Sequence, residues 1–148
     1  ASGTDLQAMQ AATLAQQNDP EHRRRKARAN YLEWLKSQGV DADMIGTYRT
    51  LIRRCDDFVA RNRISAKGVL LEENPTALEV TYSALKKSLS FRSQPNANYM
   101  LTALKRYIAF QEVACLFCFM LQVKLVHVRT EGYIQSVPYT LDILASAL

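Results

Sequence analysis

The densest chemistry in the chain is a run of cations, Arg23, Arg24, Arg25, Lys26 and Arg28, five positive charges within six residues. Guanidinium and ammonium groups release counterions from a nucleic-acid backbone, so such a run on a helix end is suited to tracking phosphates. A solubilising, solvated helix start accounts for the same residues. A second set, Arg49, Arg53, Arg54 and Arg61, recurs within one later segment. Arginines on a rigid helix face can enter a major groove, where the planar fork bonds the guanine edge in bidentate fashion. Asp56 and Asp57 lie among them, and internal pairing would absorb part of their charge.

Other reactive side chains are sparse. Cys115 and Cys118 make a C-x-x-C, but a four-ligand zinc site would need Cys55 and His127 to converge on them. All three cysteines sit inside apolar patterns, the usual placement of reduced core thiols, which points away from an oxidising compartment. His22 and His127 have no carboxylate or nucleophile at a telling spacing. The five glycines are isolated, so no phosphate-cradling loop exists. Asp56-Asp57 and Glu72-Glu73 are adjacent pairs, and neighbours on a helix point about 100° apart, so neither pair shares a site. No catalytic residue, metal site or cofactor is expected, and the chain reads as a non-enzyme.

These residues belong to a chain of 148, long enough for one compact domain, with 48% hydrophobic residues to build its core. The 19 Lys and Arg outnumber the 14 Asp and Glu by five, a balance that suits either a polyanionic partner or a solvated basic surface. No basic region precedes an apolar one at the N-terminus, so a signal peptide is not expected and the cytoplasm is the default location.

The elements that must position the cations read as helices. Residues 4–17 form a weak amphipathic extension, with Thr4 as cap and Leu6, Met9, Ala12 and Leu14 as its stripe; residues 19–148 form a single helical domain. Asp19-Pro20-Glu21 opens a helix ending before Gly39, because Asp caps free amides, Pro fits the first turn and Glu complements the dipole. Its charged half projects, and Tyr31, Leu32, Trp34 and Leu35 anchor it. Asp41 caps the next helix, where Ile45, Tyr48, Leu51, Ile52, Cys55, Phe58 and Val59 recur at steps of three and four. A connector, 62–73, carries a turn at Gly68 and an apolar plug, Val69-Leu70-Leu71. Asn74-Pro75 opens a helix over 75–90 that buries Leu78, Tyr82, Leu85 and Leu89. After a turn at 93–96 comes the dominant stretch, 96–128, which is wholly apolar from Val113 to Leu121. A helix hydrophobic all round must be covered on all sides, so it is expected as the central core helix. It is shorter than the roughly 18 uninterrupted apolar residues of a membrane span, so no membrane is expected. VKLVHV, 123–128, continues as helix or leaves as a strand, and a short helix over 139–148 closes the chain. The class is all-α, a compact orthogonal bundle of five to seven helices.

The segments ANYLEWLKSQGVDADMIGTYRTLIRRCDDFVARNRI, NPTALEVTYSALKKSL and NANYMLTALKRYIAFQE together resemble the SAM-like core-binding domain of tyrosine recombinases and phage integrases, over residues 28–112. The likeness lies in an aromatic W-L stripe, a Thr-x-x-Tyr-like helix start at Thr47-Tyr48-Arg49, and a closing helix with Lys105-Arg106-Tyr107-Ile108-Ala109-Phe110. It implies a domain clamping one side of duplex DNA, facing it with Thr50, Arg53, Arg54 and Arg61 on one helix and Asn98, Tyr99, Thr102 and Lys105 on another; Tyr99 belongs either to that face or to the core. The family's catalytic half has no match, since His127-Val128-Arg129 has the wrong spacing for its His-x-x-Arg. The expectation is a non-catalytic, nucleoid-associated DNA-binding module bearing Arg23, Arg24, Arg25, Lys26, Arg28, Thr50, Arg53, Arg54, Arg61, Asn98, Thr102 and Lys105 on its binding surface. The alternative is a helical assembly module without nucleic acid. Residues 113–148, which have no counterpart in the family, either dock on the core or swap into a neighbouring subunit as a homodimer, and in the assembly alternative it is 113–128 and the final helix that build the dimer.

Overall fold

The computed structural model describes the backbone of residues 2–131 and the side chains of residues 3–123; the expected closing helix over 139–148 lies outside these. Six helices are present among the described residues, and no strand: α1 (Ser2–Asn18), α2 (Pro20–Ser37), α3 (Ala42–Arg61), α4 (Pro75–Lys87), α5 (Leu89–Arg92) and α6 (Ala97–Glu131).

The helix starts follow local chemistry. Asp19 Oδ2 accepts from the His22 amide at 3.3 Å and Asn74 Oδ1 from the Thr76 amide at 2.9 Å, each followed by Pro in the first turn. Asp41 also stands at an N-cap, but its side chain makes no capping bond; its carbonyl accepts from the Ile45 amide. Gly39, at φ +84°, ends α2 in the left-handed region. α1 begins at Ser2, earlier than Thr4, and its Leu6, Met9 and Leu14 are exposed.

α3 and the first half of α6 form the centre. α3 buries Ile45, Tyr48, Leu51, Ile52, Cys55 and Val59 on one face; α6 answers with Met100, Ala103, Leu104, Tyr107 and Ile108. α2 adds Tyr31, Leu32 and Leu35, with Tyr31 edge-on to Tyr107 at 5.2 Å and its hydroxyl donating to the Ala103 carbonyl at 2.9 Å. Buried hydroxyls need such partners, and this one fixes the height of α2 against α6.

Two expectations change, and one choice left open by the sequence is decided. The helix from Pro75 stops at Lys87, because Ser88 turns extended and its Oγ accepts from the Phe91 amide at 3.3 Å, starting α5. That break sends Phe91 into the core against Phe58, centroids 5.1 Å apart, and leaves the expected core residue Leu89 78% exposed. The open choice was 123–128, and these residues continue as helix. Second, the apolar run is not the covered core rod. Only the first half of α6 is buried; from Val113 to Val123 the helix runs past the bundle with Leu116, Phe117, Phe119, Leu121 and Val123 exposed. Cys115 and Cys118 are therefore exposed thiols, and Cys55 is buried. By length and composition alone Ala97–Val123 could cross a membrane, and only 17% of its most apolar window is buried; a core helix passes the same test, and the part of this one before Glu112 packs on the bundle.

Candidate nucleic-acid interface

The basic run on α2 is a cluster in sequence and not in space. Consecutive helical residues step by about 100°, so Arg23, Arg24, Arg25 and Lys26 radiate from the axis. Arg25 reaches Glu21, Nε to Oε1 4.0 Å, on the exposed side. Arg23 and Lys26, with His22, line a hollow of about 490 Å³ closed by Gln17 and Asn18 of α1 and Glu73 of the connector. Arg28 is half-buried. Arg24 points into the body, its Nε 3.5 Å from Asp56 Oδ2, near enough for an ion pair but not aligned for a hydrogen bond. Arg24, expected among the DNA contacts, instead faces the buried Asp56 carboxylate, which leaves it the least free of the five cations for a phosphate.

Asp56, 3% exposed, anchors the connector. Its Oδ1 accepts from the Val69 amide at 2.7 Å and the Leu70 amide at 2.9 Å, while the Tyr107 hydroxyl donates to the Leu70 carbonyl at 3.0 Å and Gln111 Nε2 donates to that hydroxyl at 2.9 Å. The buried turn thus has its backbone groups satisfied from α3 on one side and α6 on the other. Gly68, at φ +72°, passes so close that a Cβ there would lie 2.5 Å from Asp56 Oδ1. Burial raises the Asp56 carboxyl above its ordinary range, against the opposing pull of the two amides and Arg24. Burial likewise pushes the Tyr107 hydroxyl and the Cys55 thiol up to about 12 each.

On α3 and at the start of α6 the expected residues fall on one side of each helix. Thr47, Thr50, Arg54 and Arg61 recur at three, four and seven residues and so line one side of α3; Arg53 points about 100° away, toward the side of Arg49. On α6, Asn98, Thr102 and Lys105 make an exposed stripe by the same rule. A hollow of about 230 Å³ joins the helices, lined by Met44, Thr47, Tyr48 and Leu51 from α3 and by Asn96, Tyr99 and Thr102 from the other side. Tyr99, 66% exposed, belongs to this surface and not to the core. Arg106 stacks over the Tyr48 ring at 5.1 Å, which holds its guanidinium beside the same seam. Next to it a second hollow, of about 300 Å³, is lined by Arg92, Gln94, Asn96, Asn98 and Tyr99. Asn96 takes φ +62°, a left-handed conformation that Asn tolerates, and so sets where α6 begins.

Two features temper this face. Asp43 and Asp57 fall on the Thr50–Arg61 side of α3 and lower its positive potential. The Thr50 and Thr102 hydroxyls donate to the Gly46 and Asn98 carbonyls of their own helices, at 3.3 and 3.1 Å, so they offer lone pairs outward. Arg92 and Arg106 were not picked out as site residues by sequence reasoning. The signal for Arg106 was present, since it follows Thr102 by four residues and faces the Tyr48 turn.

The C-x-x-C does not join the interface. Cys55 lies in the core while Cys115 and Cys118 stand out on α6, and among the described residues no group of three His, Cys, Asp or Glu side chains could hold a metal ion. Comparison with protein-family models, with curated proteins and with solved structures gives no match to this chain. What the described residues define is an all-helical bundle with a mainly apolar hollow, edged by Thr47, Asn96, Tyr99 and Thr102, where its two central helices meet.

Proposed function

We propose that the chain is a non-catalytic DNA-binding module, of the SAM-like core-binding kind, that lays the outer faces of α3 and the first half of α6 against duplex DNA. The observation that supports this reading is the hollow where α3 meets the start of α6, which joins Thr47 and Tyr48 to Tyr99 and Thr102, with Arg106 held over the Tyr48 ring; Thr50, Arg54 and Arg61 share the helix side of Thr47, and Asn98 and Lys105 that of Thr102, by helical spacing. The arginines supply charge for phosphates or a fork for guanine, and Asn98 supplies an amide able to pair with an adenine edge. Arg23 and Lys26 contribute at most a separate, weaker contact, and Arg24 none. In a cell such a module would be cytoplasmic and associated with the nucleoid.

The test is fluorescence anisotropy of a labelled duplex over a salt series. Three or four phosphate contacts give a log–log salt slope of about −3 to −4, and Arg54→Ala with Arg61→Ala should remove about 2 of it. Absence of binding at low salt, or a slope that this double variant leaves unchanged, overturns the proposal.

A further inference from the structure

The part of α6 that leaves the bundle has no place in the seam. Between Glu112 and Lys124 it carries no charged residue. Its Leu116, Phe117, Phe119, Leu121 and Val123 are 40, 41, 59, 38 and 39% exposed, and at about 100° per residue they cover roughly 200° of the helix, the remaining side being that of Ala114, Cys115, Cys118 and Gln122. Beside this rod lies an open trough of about 530 Å³, walled by Ala27 and Asn30 of α2, Leu70 and Glu73 of the connector, and Ala114, Cys115, Cys118 and Phe119 of α6. A cavity of about 150 Å³ accepts benzene, so the trough has room for about three side chains the size of Phe or Leu.

We infer that the occupant is the rod of a second copy of this chain, inserted antiparallel so that each rod fills the other's trough around a two-fold axis. Rod and trough on the same chain are the two halves such an isologous contact requires. Like charges oppose most self-contacts of a basic protein, but this rod is uncharged over its described length, so two copies can approach along it. The areas agree as well. Two Phe side chains about half exposed, at roughly 200 Å² each, with two Leu and a Val, present about 400 Å² of apolar surface. That is at the scale of a functional patch and about half of the roughly 800 Å² per partner that a standard interface buries, in keeping with its apolar share. A bilayer suits the rod less well. Eleven uncharged residues span about 16 Å, half of a hydrocarbon core, and the helix before Glu112 is committed to the bundle.

The test uses the full chain without DNA: sedimentation equilibrium over a hundredfold concentration range, maleimide labelling of Cys115 and Cys118, and flotation with phosphatidylcholine vesicles. The wild type should sediment at twice the chain mass, with both thiols slowed at least tenfold relative to a Leu116→Glu, Phe119→Glu variant. That variant should be monomeric, with an unchanged far-ultraviolet circular-dichroism spectrum and a melt that no longer depends on protein concentration, and Leu121→Glu provides a second break of the rod. A wild-type monomer with reactive thiols overturns the inference by showing a free rod. A monomer with protected thiols overturns it in favour of residues 132–148 as the cover. Flotation with vesicles overturns it in favour of lipid, and open-ended assembly overturns the two-fold arrangement. None of these outcomes depends on whether duplex DNA binds.

Discussion

Replacing Asp56 with alanine should be among the most damaging single changes outside the apolar core, although Asp56 looks from its neighbours like one of two surface carboxylates. The substitution removes the acceptor of two buried amides, on Val69 and Leu70, residues 0 and 2% exposed. A buried donor left unpaired costs about 1–3 kcal/mol, so the two together cost about 2–6. Removing a buried carboxylate also recovers desolvation, which the raised carboxyl pKa shows is being endured. Arg24 is less exacting, because a side chain 28% exposed can recruit water. The net expectation is about 3 kcal/mol, read as a shift in the urea midpoint at unchanged m-value; against a total of about 5–15 kcal/mol that is a large fraction. Asp56→Asn keeps the accepting oxygen and should cost at most about 1 kcal/mol at neutral pH. The pH sign follows from the direction of the shift. A carboxyl whose folded pKa is raised favours the folded state below its ordinary value of 3.8, and that contribution is lost as pH rises through the folded pKa. Asp56→Asn should therefore stand furthest below the wild type in acid and close the gap toward neutrality. Equal losses for Asn and Ala, or an Ala variant within 0.5 kcal/mol of the wild type, would refute the clamp; surface changes normally stay within about that range.

Other outcomes follow from the same geometry. Gly68→Ala should destabilise by about 1–3 kcal/mol, from a positive φ and a Cβ crowding Asp56, and its cost should shrink in an Asp56→Ala background, as a double-mutant cycle would measure. Tyr107→Phe removes the donor to the Leu70 carbonyl and should lower stability by about 1–2 kcal/mol without changing far-ultraviolet circular dichroism. Cys55, with its thiol held near 12, should stay unmodified by maleimide in the folded chain at neutral pH and react only in urea, as peptide mass mapping would show.

The sequence revealed elements better than it revealed partners. Asp19-Pro20 and Asn74-Pro75 gave correct helix starts because capping is decided within four residues. The stripe from Ile45 to Val59 gave the buried face of α3 because one long helix packed on one core keeps its period. Ser88 was opaque, since a serine that interrupts a helix differs from one that rides on it only through the tertiary demand for Phe91 beside Phe58. The apolar run in α6 shows the limit most plainly. Composition states that Leu116, Phe117 and Phe119 want cover but not which surface supplies it, and the bundle covers only the half that ends near Gln111. Asp56 was legible in principle. It follows Cys55 and stands four residues after Ile52, at the edge of a buried stripe, while Asp57 turns outward.

The fate of the five cations on α2 leads to a last prediction, which separates charge that holds the fold from charge that faces a ligand. Arg24→Ala removes the cation beside a buried carboxylate, so it should lower stability by about 1–2 kcal/mol and raise the Asp56 pKa further. It should leave the salt slope of duplex binding where it was, because no phosphate is lost. Arg54→Ala should do the reverse, reducing the slope by about 1 while leaving the urea midpoint within about 0.5 kcal/mol, since its head group has no ion-pair partner among the described residues. Arg25→Ala should change neither by much, because an exposed pair with Glu21 contributes little. If Arg24→Ala lowered the slope and Arg54→Ala did not, the DNA would lie against α2 and the seam between α3 and α6 would be the wrong face.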